Sequence, residues 1–112
     1  MSLDKVFEAL SSTVRRKILA YLSATSLTAG EIADRFDISK PSVSKHLSIL
    51  ENAGLISHER KGQFIHYTLV RENLTNTLNG FVQEVCPVSR PLKRESQEIA
   101  TARRAQTTPK KR

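Results

Sequence analysis

A single glycine, Gly54, separates two kinds of hydrophobic pattern in this chain. Before it, apolar residues recur at the spacing of amphipathic helices. After it, "LISHER" and "FIHYTL" are short runs rich in β-branched and aromatic residues, joined by "KGQ", and this pattern predicts a β-hairpin with Lys61, Gly62 and Gln63 at its tip. Helical spacing then returns. The expected helices cover residues 4–10, 14–23, 28–36, the stretch between Ser39 and Gly54, and 72–85.

The helix that ends at Gly54 has two unlike faces. Ser39 suits the N-cap and Pro41 the first turn, while Gly54 suits the position just past the end. The apolar residues fall on one stripe: Val43, Leu47 and Leu50. The opposite side carries short hydroxyls beside a lysine. Serines are poor helix formers and are unusual on a merely solvated face, so this combination suits close approach to another surface. An ordinary solvated face is the alternative.

The order of elements points to a winged helix-turn-helix. The third helix opens with a capping box formed by Thr28 and Glu31, and only "DIS" separates it from the polar-fronted helix. A hairpin with a basic tip follows. In this architecture the second helix of the pair enters the major groove, and the wing touches the backbone or minor groove. The expected fold class is therefore mainly α with a small β-hairpin, with about five helices plus a two-stranded wing.

The DNA-contact candidates follow from that placement. On the polar-fronted helix they are Lys40, Ser42, Ser44, Lys45, His46 and Ser48, and on the wing they are Arg60, Lys61 and Gln63. His46 lies at the edge of the polar face. Two interpretations stay open for it: a hydrogen bond to a phosphate or base, or a half-buried residue that is satisfied locally.

The positive charge of the chain is concentrated at one end. The whole sequence carries +7, but residues 1–86 contain 10 basic and 9 acidic residues, whereas residues 87–112 contain 8 basic and 2 acidic ones. We therefore expect two parts: a DNA-binding and dimerisation domain at 1–86, and a basic tail at 87–112 that is mobile or weakly helical. Net charge alone does not make the first part a nucleic-acid binder.

Several function classes are disfavoured by what the sequence lacks. No apolar run approaches the roughly 18 residues of a membrane span, and no signal peptide opens the chain. A single cysteine, Cys86, suits a reducing cytoplasm. No Ser-His-Asp or Cys-His arrangement and no glycine-rich phosphate loop is present, so we expect no enzymatic activity. His58 and His66 are expected to be cross-strand neighbours, too few ligands for a metal.

The ordered segments carry a family resemblance. "TAGEIADRFDISKPSVSKHLSILENAGLI" followed by "RKGQFIHYTL" resembles the ArsR/SmtB family of dimeric winged-helix repressors, and within it the SdpR-like members. "ALSSTVRRKIL" is similar to the family's second-helix opening, with Ser12 and Thr13 where Asp-Pro is usual. The resemblance covers about residues 4–85. It implies a homodimer held by the first and last helices that binds a two-fold symmetric operator in double-stranded DNA, and a membrane or protein partner that sequesters the repressor.

The same resemblance allows the interface and metal positions to be checked. The expected dimer interface consists of Phe7, Leu10, Leu74, Leu78, Phe81 and Val82. The family's thiolate site needs a Cys-x-Cys before Glu31, where this chain has Thr28 and Gly30. Its last-helix site needs Asp/His pairs, where this chain has Arg71 and Asn73. We therefore expect no metal and no other cofactor. The rival function is a protein-interaction module whose basic surface binds an acidic partner.

Overall fold

The computed structural model describes residues 2–86 and 90–107, with side chains described for 2–86 and 95–104. The chain is mainly helical with one small antiparallel sheet, and the winged helix-turn-helix prediction is confirmed. The elements in order are α1 Leu3–Leu10, α2 Thr13–Leu22, β1 Leu27–Thr28, α3 Ala29–Ala33, α4 Lys40–Asn52, β2 Ile56–Lys61, β3 Phe64–Leu69, α5 Arg71–Val85 and α6 Arg90–Thr107.

Hydroxyl caps explain where the first four helices begin. Ser2, Ser12, Thr28 and Ser39 each accept a hydrogen bond from the backbone N–H three residues further on. At Thr28 the predicted capping box is confirmed, because the Glu31 carboxylate also accepts from the Thr28 backbone N–H at 2.9 Å. Each cap satisfies an N–H that has no partner within its helix.

The core forms where helices α1 to α4 and the base of the sheet meet. Its largest fully buried side chains are Val6, Ile18, Ile32, Val43, Leu47, Leu50 and Leu55. Burying an aliphatic side chain of this size contributes about 1.5–3 kcal/mol, so each of these residues stabilises the fold. The stripe predicted for α4 is thus the part of that helix that packs inward.

The sheet has three strands in the order β1-β3-β2, rather than the two that we expected. The extra strand, β1, is only two residues long and pairs Thr28 with His66. The helix after it is also shorter than expected, because α3 ends at Ala33 and turns follow. The connection from α3 to α4 is therefore residues 34–39 rather than the three residues "DIS".

The sixth helix was not expected as a regular element. Residues 87–112 were expected to be a mobile or weakly helical tail, and α6 forms an 18-residue helix there. Residues 87–89 and 108–112 lie outside the described part. The chain divides into two compact units between Thr77 and Leu78, within α5. None of the described helices combines the length and apolar character needed to span a membrane.

Candidate nucleic-acid interface

Helix α4 is built as the two-faced element that the sequence predicts. Ser39 Oγ accepts from the Ser42 backbone N–H at 3.3 Å, and Pro41 occupies the first turn, where its missing N–H costs nothing. Val43, Leu47 and Leu50 are buried, with 0%, 2% and 0% of their surface exposed. The rotation of the helix about its axis is therefore fixed by packing.

The opposite face of α4 is exposed and carries hydroxyl and cationic groups. The exposed candidates are Lys40, Ser42, Ser44, Lys45 and Ser48, while His46 is half-buried. Ser42 Oγ also accepts a hydrogen bond from Ser39 Oγ at 3.1 Å. No acidic residue occurs in α4 before Glu51. The face can therefore donate and accept hydrogen bonds without repelling a polyanion.

The end of α4 is held by a left-handed glycine, as predicted. Gly54 has φ +82°, its N–H donates to Glu51 O at 2.9 Å, and the Leu55 N–H donates to Leu50 O at 3.1 Å. This pair of hydrogen bonds is a Schellman motif. Asn73 of α5 then donates from its side chain to Gly54 O at 2.7 Å. Both ends of α4 are thus fixed by hydrogen bonds.

The wing is a two-residue hairpin. Gly62 has φ +66° and forms the turn with Gln63, and Lys61 is the last residue of β2, opposite Phe64. The three-residue tip that we expected is therefore too long by one residue. The candidates Arg60, Lys61 and Gln63 are all exposed. Phe64, which we did not select, is 55% exposed beside them.

A side-chain contact joins α4 to the wing. His58 Nδ1 on β2 is hydrogen-bonded to Glu51 Oε2 at the last turn of α4. The His58 ring also lies 6.0 Å from the ring of Tyr67, whose pKa is raised by burial and then by Glu51. His58 pairs with Tyr67 across the sheet, not with His66 as expected, and His66 pairs with Glu59. The Glu51 contact thus links the wing to the end of α4.

His46 makes a contact that the helical pattern did not reveal. Its Nδ1 lies 3.1 Å from Nη1 of Arg15, near the start of α2. Burial lowers the pKa of His46, and the charges of Arg15 and Lys45 lower it further. This geometry favours the interpretation in which Nδ1 is hydrogen-bonded within the chain. The other ring nitrogen, Nε2, takes no part in this contact. No sequence signal pointed to Arg15 as its partner.

The six expected dimer residues fall into two groups. Leu10 and Leu74 are half-buried and pack against the core of their own chain, so part of their apolar surface is used within the monomer. Phe7 and Val82 remain 40% and 48% exposed. Leu78 and Phe81 are half-buried, and no residue of α5 is fully buried. Helix α5 thus retains apolar surface beyond what the described chain covers.

The positions checked for metal ligands carry other interactions. Thr28 caps α3, Arg71 donates a hydrogen bond to Ser23 O, and Asn73 donates to Gly54 O. Cys86 is an exposed free thiol. Within residues 2–86 and 90–107, no three or more His, Cys, Asp or Glu side chains gather where they could hold a metal ion.

Known proteins are similar to this chain in sequence and in architecture. A sequence model described as a helix-turn-helix domain matches residues 10–59. The transcriptional repressor SdpR of Bacillus subtilis is 51% identical over 77 residues, which cover 69% of this chain and 86% of SdpR. Among solved structures, an ArsR-like transcriptional regulator from Rhodococcus superimposes with a TM-score of 0.71 at 28% identity, covering 88% of this chain and 91% of that one.

A second solved structure bears on assembly. The homodimeric winged helix-turn-helix DNA-binding domain Mb0332 of Mycobacterium bovis superimposes with a TM-score of 0.62 at 26% identity, covering 77% of this chain and 79% of that one. The relatives named here are transcriptional regulators. Together with the two-faced helix and the wing, these likenesses show that the chain belongs to the ArsR family of winged helix-turn-helix transcriptional repressors, which bind DNA.

Proposed function

We propose that this protein is a homodimeric repressor in the cytoplasm that binds a two-fold symmetric operator with α4 in the major groove and the wing on the neighbouring backbone. The observation that carries the proposal is that α4 has five exposed hydroxyl and cationic residues outside its buried stripe. A helix held in this way presents one defined set of donors and acceptors to a groove.

The exposed residues are proposed to make two kinds of DNA contact: some bind base edges and others bind phosphates. Ser44, Lys45 and Ser48 lie along the middle of the exposed face, where base edges are within reach, and the lysine can donate to guanine O6 or N7. Lys40 at the first turn, with Arg60 and Lys61 on the wing, is suited to phosphate oxygens. Serine hydroxyls bond to any base, so Lys45 supplies most of the discrimination.

Two copies are needed for a symmetric operator. Helix α5 has no fully buried residue, and Val82 and Val85 remain 48% and 60% exposed. The Mb0332 domain, which is similar, is homodimeric. Pairing through α1 and α5 would cover this apolar surface and would present two copies of α4 related by a two-fold axis.

We further propose that repression does not depend on a metal ion. Arg71 and Asn73 stand where the family resemblance calls for ligands, and both are engaged in hydrogen bonds to backbone carbonyls. A guanidinium and an amide are poor ligands for Zn²⁺. Relief of repression then falls to a sequestering protein or membrane partner, a step that rests on the family resemblance alone.

The basic end of the chain is proposed to strengthen binding without reading sequence. Residues 87–112 carry 8 basic and 2 acidic residues, and they include α6. Cations on a helix or a flexible segment attract phosphates of any duplex and release condensed counterions. Residues 1–86 then choose the operator, and residues 87–112 act as a sequence-blind anchor.

Selection of duplexes from a random pool tests the proposal. The full chain should enrich a palindromic sequence, and binding should weaken steeply with salt and exceed binding to a shuffled duplex by about 10³-fold or more. The same selection with Lys45→Glu is the matched control and should enrich nothing. If the wild-type chain enriched no sequence yet bound acidic polypeptides, the protein-interaction alternative would replace this proposal.

A further inference from the structure

Arg15 lies where the end of α1, the start of α2 and the side of α4 meet. Its Nε donates to Ala9 O at 2.8 Å and its Nη2 donates to Glu8 O at 3.0 Å, so it satisfies two carbonyls at the end of α1. Its Nη1 lies 3.1 Å from His46 Nδ1 on α4. One guanidinium therefore connects the first helix of the chain to the DNA-facing helix.

This contact decides which ring nitrogen of His46 carries the proton. A guanidinium has only donors and stays protonated in proteins, so His46 Nδ1 has to accept. A neutral imidazole with an accepting Nδ1 carries its proton on Nε2. Burial and the charges of Arg15 and Lys45 lower the pKa of His46, which keeps the ring neutral near pH 7.

The Nε2 edge is not used within the described part of the chain. His46 Nδ1 makes the contact with Arg15, and no buried side-chain nitrogen among the described residues lacks a partner. The ring is half-buried, and its neighbour Lys45 is exposed on the face proposed to meet DNA. The Nε2–H donor is therefore accessible at the edge of that face.

We propose that His46 donates its Nε2–H to a phosphate oxygen of bound DNA, and that Arg15 is the positioning residue that fixes the orientation and tautomer of the ring. This inference rests on the proposed function and extends it to Arg15, which lies outside the DNA-facing surface. A neutral donor held by a partly buried contact loses less conformational entropy on binding than a flexible lysine does. The contacts of Arg15 also connect α4 to α1, which is one of the two helices proposed to hold the dimer.

Two substitutions at position 46 separate the ring's two nitrogens. In His46→Asn, Oδ1 replaces the acceptor Nδ1 and the Nε2 donor is lost. In His46→Gln, the amide nitrogen reaches the Nε2 position and the acceptor is lost. The partner in binding is the duplex that the wild-type chain selects, made with single methylphosphonate linkages that neutralise one phosphate at a time.

The expected results differ for each variant. His46→Asn should melt within a few degrees of the wild type and bind about tenfold more weakly for each half-site. One neutralised phosphate should weaken wild-type binding by a similar factor and leave His46→Asn unchanged. His46→Gln should recover affinity to within about threefold of the wild type. Equal affinity of His46→Asn and the wild type for the unmodified duplex would overturn the phosphate contact.

Arg15 has a matched control in the next residue. Arg16 Nη1 donates to Leu10 O at 2.6 Å and so also satisfies a carbonyl at the end of α1, without contacting His46. In ¹⁵N NMR of the histidine rings, the wild type and Arg16→Met should show the Nε2–H tautomer at His46. Arg15→Met should show a mixture of tautomers and weaker DNA binding.

The spectroscopic result needs no DNA, so it tests the Arg15–His46 contact independently of the proposed function. A His46 ring that carries its proton on Nδ1 in the wild type would overturn the role of Arg15. A wild-type chain that selects no duplex would overturn the proposed function, while the tautomer would still report on the Arg15 contact. Equal tautomer populations in Arg15→Met and the wild type would also overturn the positioning role.

Discussion

Two residues only two positions apart on α4 should have opposite effects when truncated to alanine. Lys45 is exposed and Leu47 is 2% exposed in the core. Removing a leucine that is this buried costs about 3 kcal/mol of unfolding free energy, because apolar contacts are lost and a cavity remains. For a domain of this size that corresponds to a fall in melting temperature of about 10–20 °C. Lys45→Ala should change stability by less than about 0.5 kcal/mol.

Binding to the selected duplex should show the reverse order. Lys45→Ala should lose about 1–3 kcal/mol per half-site, which is about five- to 150-fold in affinity. Leu47→Ala, measured well below its melting temperature, should retain most of its affinity. Circular dichroism melting and fluorescence anisotropy at fixed salt give the two quantities, and Lys17→Ala controls for the loss of one exposed charge. Unchanged binding by Lys45→Ala would refute the assigned rotation of α4.

Four further results are expected. Replacing Arg60 and Lys61 together by alanine should weaken binding to all duplexes alike and lower the salt slope by about one unit per lost phosphate contact; an effect confined to one base pair would mean that the wing reads sequence. Phe81→Glu should be monomeric or poorly folded in light scattering, because a carboxylate in the proposed α5 interface is buried without a partner; a stable dimer would move the interface elsewhere. Truncation after Val88 should weaken binding to operator and random duplex by similar factors, most at low salt, with little change in melting temperature; a clear fall in melting temperature would contradict the anchor. The pKa of His46 is lowered from 6.5 in the folded chain, so the unfolded chain binds more protons as pH falls through that value. The melting temperature of the wild type should therefore fall relative to that of His46→Asn between about pH 7.5 and 5.5. Parallel plots of melting temperature against pH for the two proteins would contradict this linkage.

Helix α4 was predicted closely because its signals are local. The hydroxyl cap at Ser39, Pro41 in the first turn and Gly54 at the end each act on backbone groups within a few residues. The inward stripe follows from the 3.6-residue period alone. The exposed face could therefore be assigned from the sequence, whereas its contacts with DNA remain predictions.

The sheet was predicted less well because strand register depends on distant partners. We expected a three-residue tip, which would place His58 opposite His66. The turn has two residues, Gly62 and Gln63, so every pair shifts by one and His58 faces Tyr67. A change of one residue in a hairpin loop reassigns every cross-strand neighbour. Strand β1 was missed because two residues carry no alternation.

The contact between Arg15 and His46 could not be predicted from local patterns. The residues lie 31 positions apart on different helices, and the helical pattern predicts each of them only as a polar residue near a helix surface. Helix α6 was underestimated for another reason. Its sequence has few apolar residues to bury, but four arginines and three alanines stand among its 18 residues, and the backbone preference of these residues favours a helix.

The contacts that hold α4 in place have a consequence for how such a protein can change the operator sequence that it binds. The helix is secured at its start by Ser39, at its end by Gly54, and from behind by the buried stripe. None of the exposed residues Ser44, Lys45 or Ser48 takes part in that fastening. Substitutions at these three positions should therefore leave the packing of α4 unchanged. New operator preferences can then evolve or be engineered without a compensating change in the rest of the domain.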